Sequence, residues 1–261
     1  MGCAQLDIVF GDKTANLEKI REYTNAFKGD LLVFPELATS GYEFINRDEV
    51  MDLAFRSKSE EMDMLMDIAE KTDVTLIVGF PERSEDKVFN ACVFIRKGQE
   101  PSIYRKIHLF DREKNLFDKG NSPPFVLDSS LGKIGMMICF DWIFPETARM
   151  LALQGAQIIC HPSNLVLTYC QRAMFARSVE NGVFTITCNR IGTEKRTDRA
   201  LTFTGQSQIL SNRGVMLAQA SLDQEGLISA EIEPALSDNK MITQLNHILN
   251  DRRTELYTEL L

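Results

Sequence analysis

The sequence lacks the long apolar and basic segments of membrane and nucleic-acid-binding proteins. No apolar run approaches the ~18 residues that a membrane-spanning helix needs, and the first residues, MGCAQLDIVFGDK, carry no basic region typical of a signal peptide. The formal net charge is -8, so a phosphate backbone is repelled on average. We therefore expect a cytoplasmic protein that binds neither nucleic acid nor membrane, and whose partners are small molecules or further copies of the chain.

Paired cysteines and metal-ligand spacings are also missing. The six cysteines include no C-x-x-C pair, and the three histidines, His108, His161 and His247, never stand at the spacing of paired metal ligands. In a chain of this size without a signal peptide, we expect reduced thiols. The sequence predicts no metal site, although Cys160 and His161 are neighbours.

What the sequence does contain is an alternation of short apolar runs with amphipathic segments. Strands are predicted at 3–9, 31–34, 74–80, 88–95, 102–107, 133–138, 156–160, 183–188, 205–210, 215–220 and 226–232. Helices are predicted at 17–27, after a capping box of Ser57 and Glu60, from Pro145 to Gly155, over roughly 168–181, and in a tail containing Leu245, Ile248 and Leu249. This order indicates the α/β class with some antiparallel strands, in a single domain over 1–261.

Three chemically versatile side chains follow predicted strands. Glu36 comes after LLVF, Lys106 ends SIYR, and Cys139 ends KIGMMI. Each has a structural explanation by itself, as a loop carboxylate, a surface charge or a small buried apolar residue. A cysteine nucleophile, however, needs a base or a positive field close by. Because functional residues gather at the carboxyl ends of strands in α/β sheets, the combination predicts an activated thiol at Cys139, with Glu36 as base and Lys106 as the field.

Three segments around these residues, VFPELATSGYEF, YRKIHLF and GMMICFDWIFPETAR, resemble the nitrilase (carbon-nitrogen hydrolase) superfamily. Its catalytic Glu, Lys and Cys stand in such segments in this order, and HPSNLV, ARSVENGVF, CNRIG, FTGQSQI and DRRTELY extend the similarity over nearly the whole chain. The resemblance implies a four-layer αββα sandwich. It also implies homodimers or higher oligomers that pair through helical faces, with residues 234–261 as a C-terminal tail at the subunit interface.

The resemblance also implies a mechanism that uses no metal or organic cofactor. Glu36 takes the thiol proton, Cys139 attacks an amide carbonyl, and Lys106 with the backbone N–H of Phe140 stabilises the oxyanion. A thioester then forms and is hydrolysed. Glu113 matches a further glutamate of many members, although an exposed charge in the run DREKN is an equal interpretation.

Other polar residues are given supporting roles. Asn164 and Tyr42 follow strand ends near the expected pocket and are candidates to contact the substrate, although Asn164 could serve only to hold its own loop. Glu146 and Arg149, three apart in the helix after Pro145, are interpreted as a structural ion pair. We expect His108 to be a packed loop histidine, and Cys160 and Cys188 to be core residues.

The bond that is cleaved is inferred from the residues after the nucleophile. Members that act on nitriles usually carry Trp-Glu there, whereas this chain has Phe140-Asp141, as amidase-type members often do. We therefore expect a small aliphatic amide as substrate, with nitriles and carbamoyl compounds as alternatives. From a different class, the alternative is an inactive homologue that binds a partner or senses oxidation through Cys139. A serine hydrolase is disfavoured, since GQS is not a G-x-S-x-G elbow.

Overall fold

The computed structural model describes residues 1–260 and contains two large sheets with helices on their outer faces. The α-helices are α1 (Lys13–Ala26), α2 (Arg47–Leu53), α3 (Glu60–Thr72), α4 (Glu113–Leu116), α5 (Pro145–Leu153) and α6 (Cys170–Asn181). The strands are β1 (Gly2–Gln5), β2 (Leu31–Val33), β3 (Thr75–Ser84), β4 (Lys87–Ile95), β5 (Ser102–Arg105), β6 (Val126–Ser129), β7 (Gly132–Met136), β8 (Ile158–Pro162), β9 (Phe184–Cys188), β10 (Thr193–Glu194), β11 (Leu201–Thr202), β12 (Gln208–Leu210), β13 (Met216–Gln219) and β14 (Gly226–Ser229).

Both large sheets have six strands and the same mixed pattern. The first has the order β14-β1-β2-β3-β4-β5 and the second the order β13-β12-β9-β8-β7-β6. Three strands in the middle of each sheet, β1-β2-β3 and β7-β8-β9, are parallel, and their outer neighbours pair antiparallel. The predicted α/β class with some antiparallel strands is therefore confirmed.

Alternation along the strands places one apolar face between the sheets and the other under the helices. In β2, Val33 packs in the core that also contains Met136 and Ile158 of the second sheet. The neighbouring Leu32 packs instead with Ile20 of α1 and with α3. Because successive side chains of a strand point to opposite faces, this partition builds a helix-sheet-sheet-helix stack. The predicted four-layer αββα sandwich is confirmed.

Helix boundaries follow the expected chemistry with one correction. At α1, the Asp12 side chain accepts a hydrogen bond from the Ala15 N–H, which caps the helix. The capping box predicted at Ser57 is wrong, because the cap of α3 is Ser59, whose hydroxyl accepts from the Met62 N–H at 3.3 Å. Ser59 directly precedes the first helical residue, Glu60, which is the position of a capping side chain, whereas Ser57 stands two residues further from the helix.

The predicted helical tail is also wrong. No α-helix covers residues 241–251, which form turns, and Leu245 is 88% exposed. Polar side chains bind the local backbone instead: His247 Nδ1 accepts from the N–H groups of Leu249 and Asn250, at 3.2 and 3.0 Å. Such bonds offer the backbone an alternative to helical pairing. The location of residues 234–261 at a subunit interface stays a prediction.

None of the helices in residues 1–260 combines the length and the apolar character that crossing a bilayer requires. The charged segment 192–200 includes the short strand β10, which pairs with β11.

A close backbone approach in the first sheet involves Gly79 of β3. A Cβ at this position would lie 2.3 Å from the Pro35 carbonyl oxygen and 2.6 Å from the Glu36 Cα. Glycine therefore lets the segment after β2 pass directly over β3, and this contact fixes where Glu36 lies.

We expect Gly79→Ala to destabilise the fold by roughly 1–3 kcal/mol, since backbone atoms must move to admit the methyl group. Gly226→Ala in β14 is the matched control, because a Cβ there meets nothing within 4 Å. Urea denaturation of both variants measures the difference. Equal midpoints for the two would contradict the steric argument.

Candidate active site

Cys139 lies in a strained turn, called the elbow below, in the segment that connects β7 to α5. It follows β7 and opens a short 3-10 helix, Cys139–Ile143, and α5 then begins with Pro145 as its first residue, as predicted. The φ angle of Cys139 is +40°, in the left-handed region. A non-glycine residue there costs of order 1–3 kcal/mol and persists only when its surroundings impose it.

Asp141, two residues after Cys139 in the same 3-10 helix, holds this elbow in place. Its buried carboxylate accepts hydrogen bonds from the Ile138 N–H at 2.9 Å and from the Tyr104 hydroxyl at 2.8 Å. His108 Nδ1 lies 2.9 Å from the same carboxylate, and its ring stacks on Phe144. Asp141 therefore joins the elbow to β5 and to the loop after it, and His108 is packed as expected.

Glu36, directly after β2, is fully buried, and its two carboxylate oxygens have different environments. Oε1 accepts from Lys106 Nζ and from Asn90 Nδ2, both at 2.7 Å. Oε2 is buried and has no hydrogen-bond partner among residues 1–260. Asn90 was missed from sequence, although a polar residue inside the apolar run VFNACVFI was a usable signal.

Lys106 bridges two carboxylates in the protein interior. Its Nζ lies 2.8 Å from Glu113 Oε1 as well as 2.7 Å from Glu36, and all three side chains are almost completely buried. The Tyr42 hydroxyl donates to the same Glu113 oxygen at 2.6 Å. Of the two interpretations of Glu113, the exposed charge is therefore wrong, and the carboxylate lies beside Lys106.

A small apolar cavity opens at Cys139. It has a volume of about 20 Å³, close to the ~10–15 Å³ that one water occupies. Its lining comprises Cys139, Asn164 and the apolar residues Phe110, Phe140, Trp142, Leu165, Val166 and Leu167. Asn164 is buried, and neither its amide nitrogen nor its amide oxygen has a hydrogen-bond partner among residues 1–260. The predicted substrate contacts Phe140 and Asn164 lie here, whereas Tyr42 is not part of the lining and bonds to Glu113.

Comparison with known proteins decides the family. The sequence profile of the carbon-nitrogen hydrolases matches residues 1–239. A nitrilase of Pyrococcus abyssi is 43% identical over 241 residues, which is 92% of this chain and 90% of that protein. This chain belongs to the carbon-nitrogen hydrolase family.

Two further relatives agree with this assignment. The 2-oxoglutaramate amidase of Bacillus subtilis is 29% identical over 265 residues, 98% of each protein. The crystal structure of a carbon-nitrogen hydrolase from Helicobacter pylori G27 has a TM-score of 0.85 at 26% identity and covers 100% of this chain and 97% of its own. The protein is thus an enzyme of the nitrilase superfamily, and its sandwich is the fold of that family.

In this hydrolase, Lys106 and Glu113 shift each other's pKa. Burial alone lowers the pKa of Lys106, but the charges of Glu113 and Glu36 outweigh burial and raise it, so the ammonium is permanent. Burial raises the pKa of Glu113, and Lys106 offsets part of this effect. The lysine thus favours the ionised form of Glu113 in a buried site.

The thiol itself is neutral at rest. Burial, followed by the charge of Glu36, raises the pKa of Cys139 well above its ordinary value, and Lys106 and the backbone N–H of Asn164 only partly oppose this. The expectation of a positive field at the sulfur needs this correction, since two carboxylates outweigh one ammonium. A nucleophile in this environment requires a base that removes its proton as it attacks.

Two predicted features outside the cavity have different outcomes. Cys160 and Cys188 are fully buried in the core, as expected, and all six cysteines are unpaired thiols. Glu146 and Arg149 form no ion pair, and Arg149 Nη1 has no hydrogen-bond partner among the residues described. No group of three or more His, Cys, Asp or Glu side chains within residues 1–260 is arranged to hold a metal.

A second residue missed from sequence is His161, in the HPSNLV segment. It is fully buried at the end of β8, and its Nε2 lies 2.8 Å from the Cys139 carbonyl oxygen. Burial lowers the pKa of His161 to about 4, so the imidazole is neutral at ordinary pH. The signal in the sequence is the Cys160-His161 pair, which by itself suggests only a metal site.

We expect His161 to make the protein sensitive to acid. Its pKa in the folded state, about 4, lies below the ordinary 6.5, so the unfolded chain binds the proton first as the pH falls. The contribution is complete above pH 6.5 and is lost between there and about pH 4, with a limit of about 3 kcal/mol. In His161→Gln, which does not titrate, the fall in unfolding free energy from pH 7 to 4 should be smaller, as urea denaturation would measure. If the unfolding free energies of wild type and variant changed in parallel with pH, this contribution of His161 would be excluded.

Proposed function

We propose that this carbon-nitrogen hydrolase cleaves a small aliphatic amide into a carboxylic acid and ammonia, through a thioester on Cys139. The observation that carries the proposal is that Oε2 of Glu36 is buried and has no hydrogen-bond partner among residues 1–260. A buried carboxylate oxygen without a donor is costly unless a reacting group binds it. Its charge acts on the Cys139 thiol, which opens on the cavity where the substrate carbonyl would lie.

In the first half of the reaction, Glu36 takes the thiol proton while the sulfur forms a bond to the amide carbon. The carbonyl oxygen becomes an oxyanion. Lys106 and the Phe140 N–H are the proposed donors to it, and the Phe140 N–H donates no hydrogen bond within the described residues. Glu36 then gives its proton to the nitrogen, the C–N bond breaks, and ammonia leaves a thioester behind.

In the second half, Glu36 takes a proton from water as the water oxygen attacks the thioester carbon. The second tetrahedral intermediate collapses, the C–S bond breaks, and the proton returns from Glu36 to the sulfur. Every proton is carried by one carboxylate, which is consistent with a side chain held at a fixed angle by Lys106 and Asn90.

Glu113 is proposed to keep Lys106 charged and in place. Its Oε1 accepts from Lys106 and from Tyr42, and its Oε2 accepts from the Phe110 N–H at 3.1 Å. Both oxygens of Glu113 already accept hydrogen bonds, whereas Oε2 of Glu36 has no partner among residues 1–260 and is the oxygen open to a reacting thiol. We assign Tyr42 to this support and not to substrate contact.

The cavity wall favours an uncharged, apolar acyl group. No charged side chain of residues 1–260 lines the cavity, and the Asn164 amide, which has no partner within those residues, can pair with the amide of a substrate. Phe140-Asp141 after the nucleophile favours amides, as does the amidase relative. Nitrile cleavage is the second candidate, because the Pyrococcus abyssi relative bears the name nitrilase, and carbamoyl compounds are a third.

An oxidation sensor at Cys139 fits the site poorly. The side chain is only 6% exposed, and its thiol is neutral, whereas sensor cysteines are accessible thiolates.

We also propose that copies of the chain associate through the outer faces of α5 and α6. Three large apolar side chains are exposed there, Met150, Leu153 and Phe175. Association of these faces would extend the sandwich and bring the tail of residues 234–261 to the interface.

Short aliphatic amides, nitriles and carbamoyl compounds, incubated separately with the enzyme, test the substrate class. Ammonia release is expected from the amides, and intact mass should show an acyl adduct that is absent in Cys139→Ala. Cys170→Ala is the matched control, since that buried thiol lies in α6, outside the cavity. Turnover of nitriles alone would replace the amide assignment with the second candidate, and ammonia release by Cys139→Ala would exclude the thioester.

Glu36→Gln is expected to affect turnover and thiol reactivity in opposite directions. Turnover should fall about 100- to 10,000-fold, as for loss of a general base. Alkylation of Cys139 by iodoacetamide at pH 7 should become faster, because removing the Glu36 charge lowers the pKa of the thiol. An assay of ammonia release measures the turnover rate, and mass spectrometry of the alkylated protein measures the labelling rate. Slower alkylation in the variant would mean that Glu36 does not hold the thiol neutral.

A further inference from the structure

We propose that His161 is a positioning residue: its Nε2–H donates to the Cys139 carbonyl oxygen and thereby fixes the direction of the Phe140 N–H. This inference rests on the proposed function, in which that N–H binds the oxyanion. It assigns His161 a role in the reaction although its side chain touches no substrate.

The contacts of His161 define one tautomer. A carbonyl oxygen can only accept, so the 2.8 Å contact with the Cys139 oxygen places the imidazole proton on Nε2. Nδ1 must then accept, and the hydroxyl of Thr187 lies 3.3 Å from it. Thr187 is the residue paired with His161 in the register of β8 and β9, so the donor is fixed by the sheet.

The neighbouring serine is compatible with the same tautomer. Ser163 Oγ lies 3.1 Å from His161 Nε2 and 3.2 Å from the His161 carbonyl oxygen. Its hydroxyl proton can be donated to that carbonyl, while its lone pairs face the Nε2–H. All polar atoms of the buried ring are thus satisfied with one proton on Nε2.

Peptide planarity carries this contact to the reaction centre. The Cys139 carbonyl and the Phe140 N–H belong to the same peptide group, in which C=O and N–H are coplanar and point in opposite directions. A bond that fixes the oxygen therefore also fixes the N–H. The Phe140 N–H itself donates no hydrogen bond within the described residues, so no bond of its own sets its direction.

The strain at Cys139 explains why a second restraint is needed. Its φ of +40° is unfavourable, and the Asp141 side chain restrains the chain before Cys139, through the Ile138 N–H. The Asp141 N–H closes the turn by donating to the Ile138 carbonyl oxygen at 3.0 Å, but it makes no bond to the peptide group between Cys139 and Phe140. His161 restrains the following peptide from the opposite side. A hydrogen bond to the carbonyl also polarises the peptide, which strengthens its N–H as a donor to an oxyanion.

The tautomer can be measured directly. With only three histidines in the chain, long-range 1H–15N spectra of uniformly labelled enzyme are simple, and single variants at His108 and His247 assign the signals. We expect one ring with the proton on Nε2 and no titration between pH 5.5 and 9. A proton on Nδ1 of His161, or protonation of the ring in this range, would overturn the proposal whether or not the enzyme hydrolyses amides.

Two variants test the consequence for the reaction. The amide nitrogen of His161→Gln can reach the Cys139 carbonyl, whereas His161→Leu has similar bulk and no donor. We expect His161→Leu to lower kcat about 10- to 100-fold, less than the ~100- to 1,000-fold lost with an oxyanion donor itself, with KM within about twofold. His161→Gln should restore most of kcat.

A merely structural role predicts a different pattern. It would reduce the fraction of Cys139 that can be labelled, or the melting temperature, without changing kcat per active site. Both variants are therefore compared per labelled thiol. Equal kcat for His161→Gln and His161→Leu, or a loss that lies in KM, would refute a positioning role. If His161→Leu does not fold, the tautomer of His161 measured by NMR decides whether the proposal stands.

Discussion

The buried ammonium of Lys106 is the interaction on which the site depends. Its Nζ joins Glu36, after β2, to Glu113 at the start of α4, with 2.7 and 2.8 Å contacts from which water is excluded. Removing one partner of a buried ion pair typically costs about 3–5 kcal/mol, because the remaining charge is left uncompensated. Two segments of the chain, around Glu36 and around residues 106–113, are therefore held in one geometry by one cation, although Glu36 and Lys106 are 70 residues apart.

The charge balance of this cluster governs the sulfur. Two carboxylates and one ammonium leave Cys139 in a dry and slightly negative environment, which keeps its proton in place until a substrate arrives. The same arrangement leaves Oε2 of Glu36 without a hydrogen-bond partner among residues 1–260, so the group that raises the pKa of the thiol is also the group proposed to remove its proton.

Rigidity of the backbone around Cys139 has a different origin. Asp141 binds the peptide before the elbow, and His161 binds the peptide after it, from a neighbouring strand. Glycine at position 79 lets the Glu36 segment lie directly on β3. The strained turn is held through Asp141, which bonds to Tyr104 of β5, and through His161 of β8, and a non-glycine residue at positive φ requires such restraints.

The sequence by itself determined the α/β class, the periodic core of the strands, the helix start at Pro145 and the set Glu36, Lys106 and Cys139, because these depend on local patterns and on short motifs. Only the tertiary structure decided between two interpretations of Glu113, gave Asn90 and His161 their partners, and separated Tyr42 from the cavity. It also replaced the expected tail helix by turns, since nearby side chains compete for that backbone. These outcomes depend on contacts between residues far apart in the chain, and a one-dimensional pattern does not contain the distance between them.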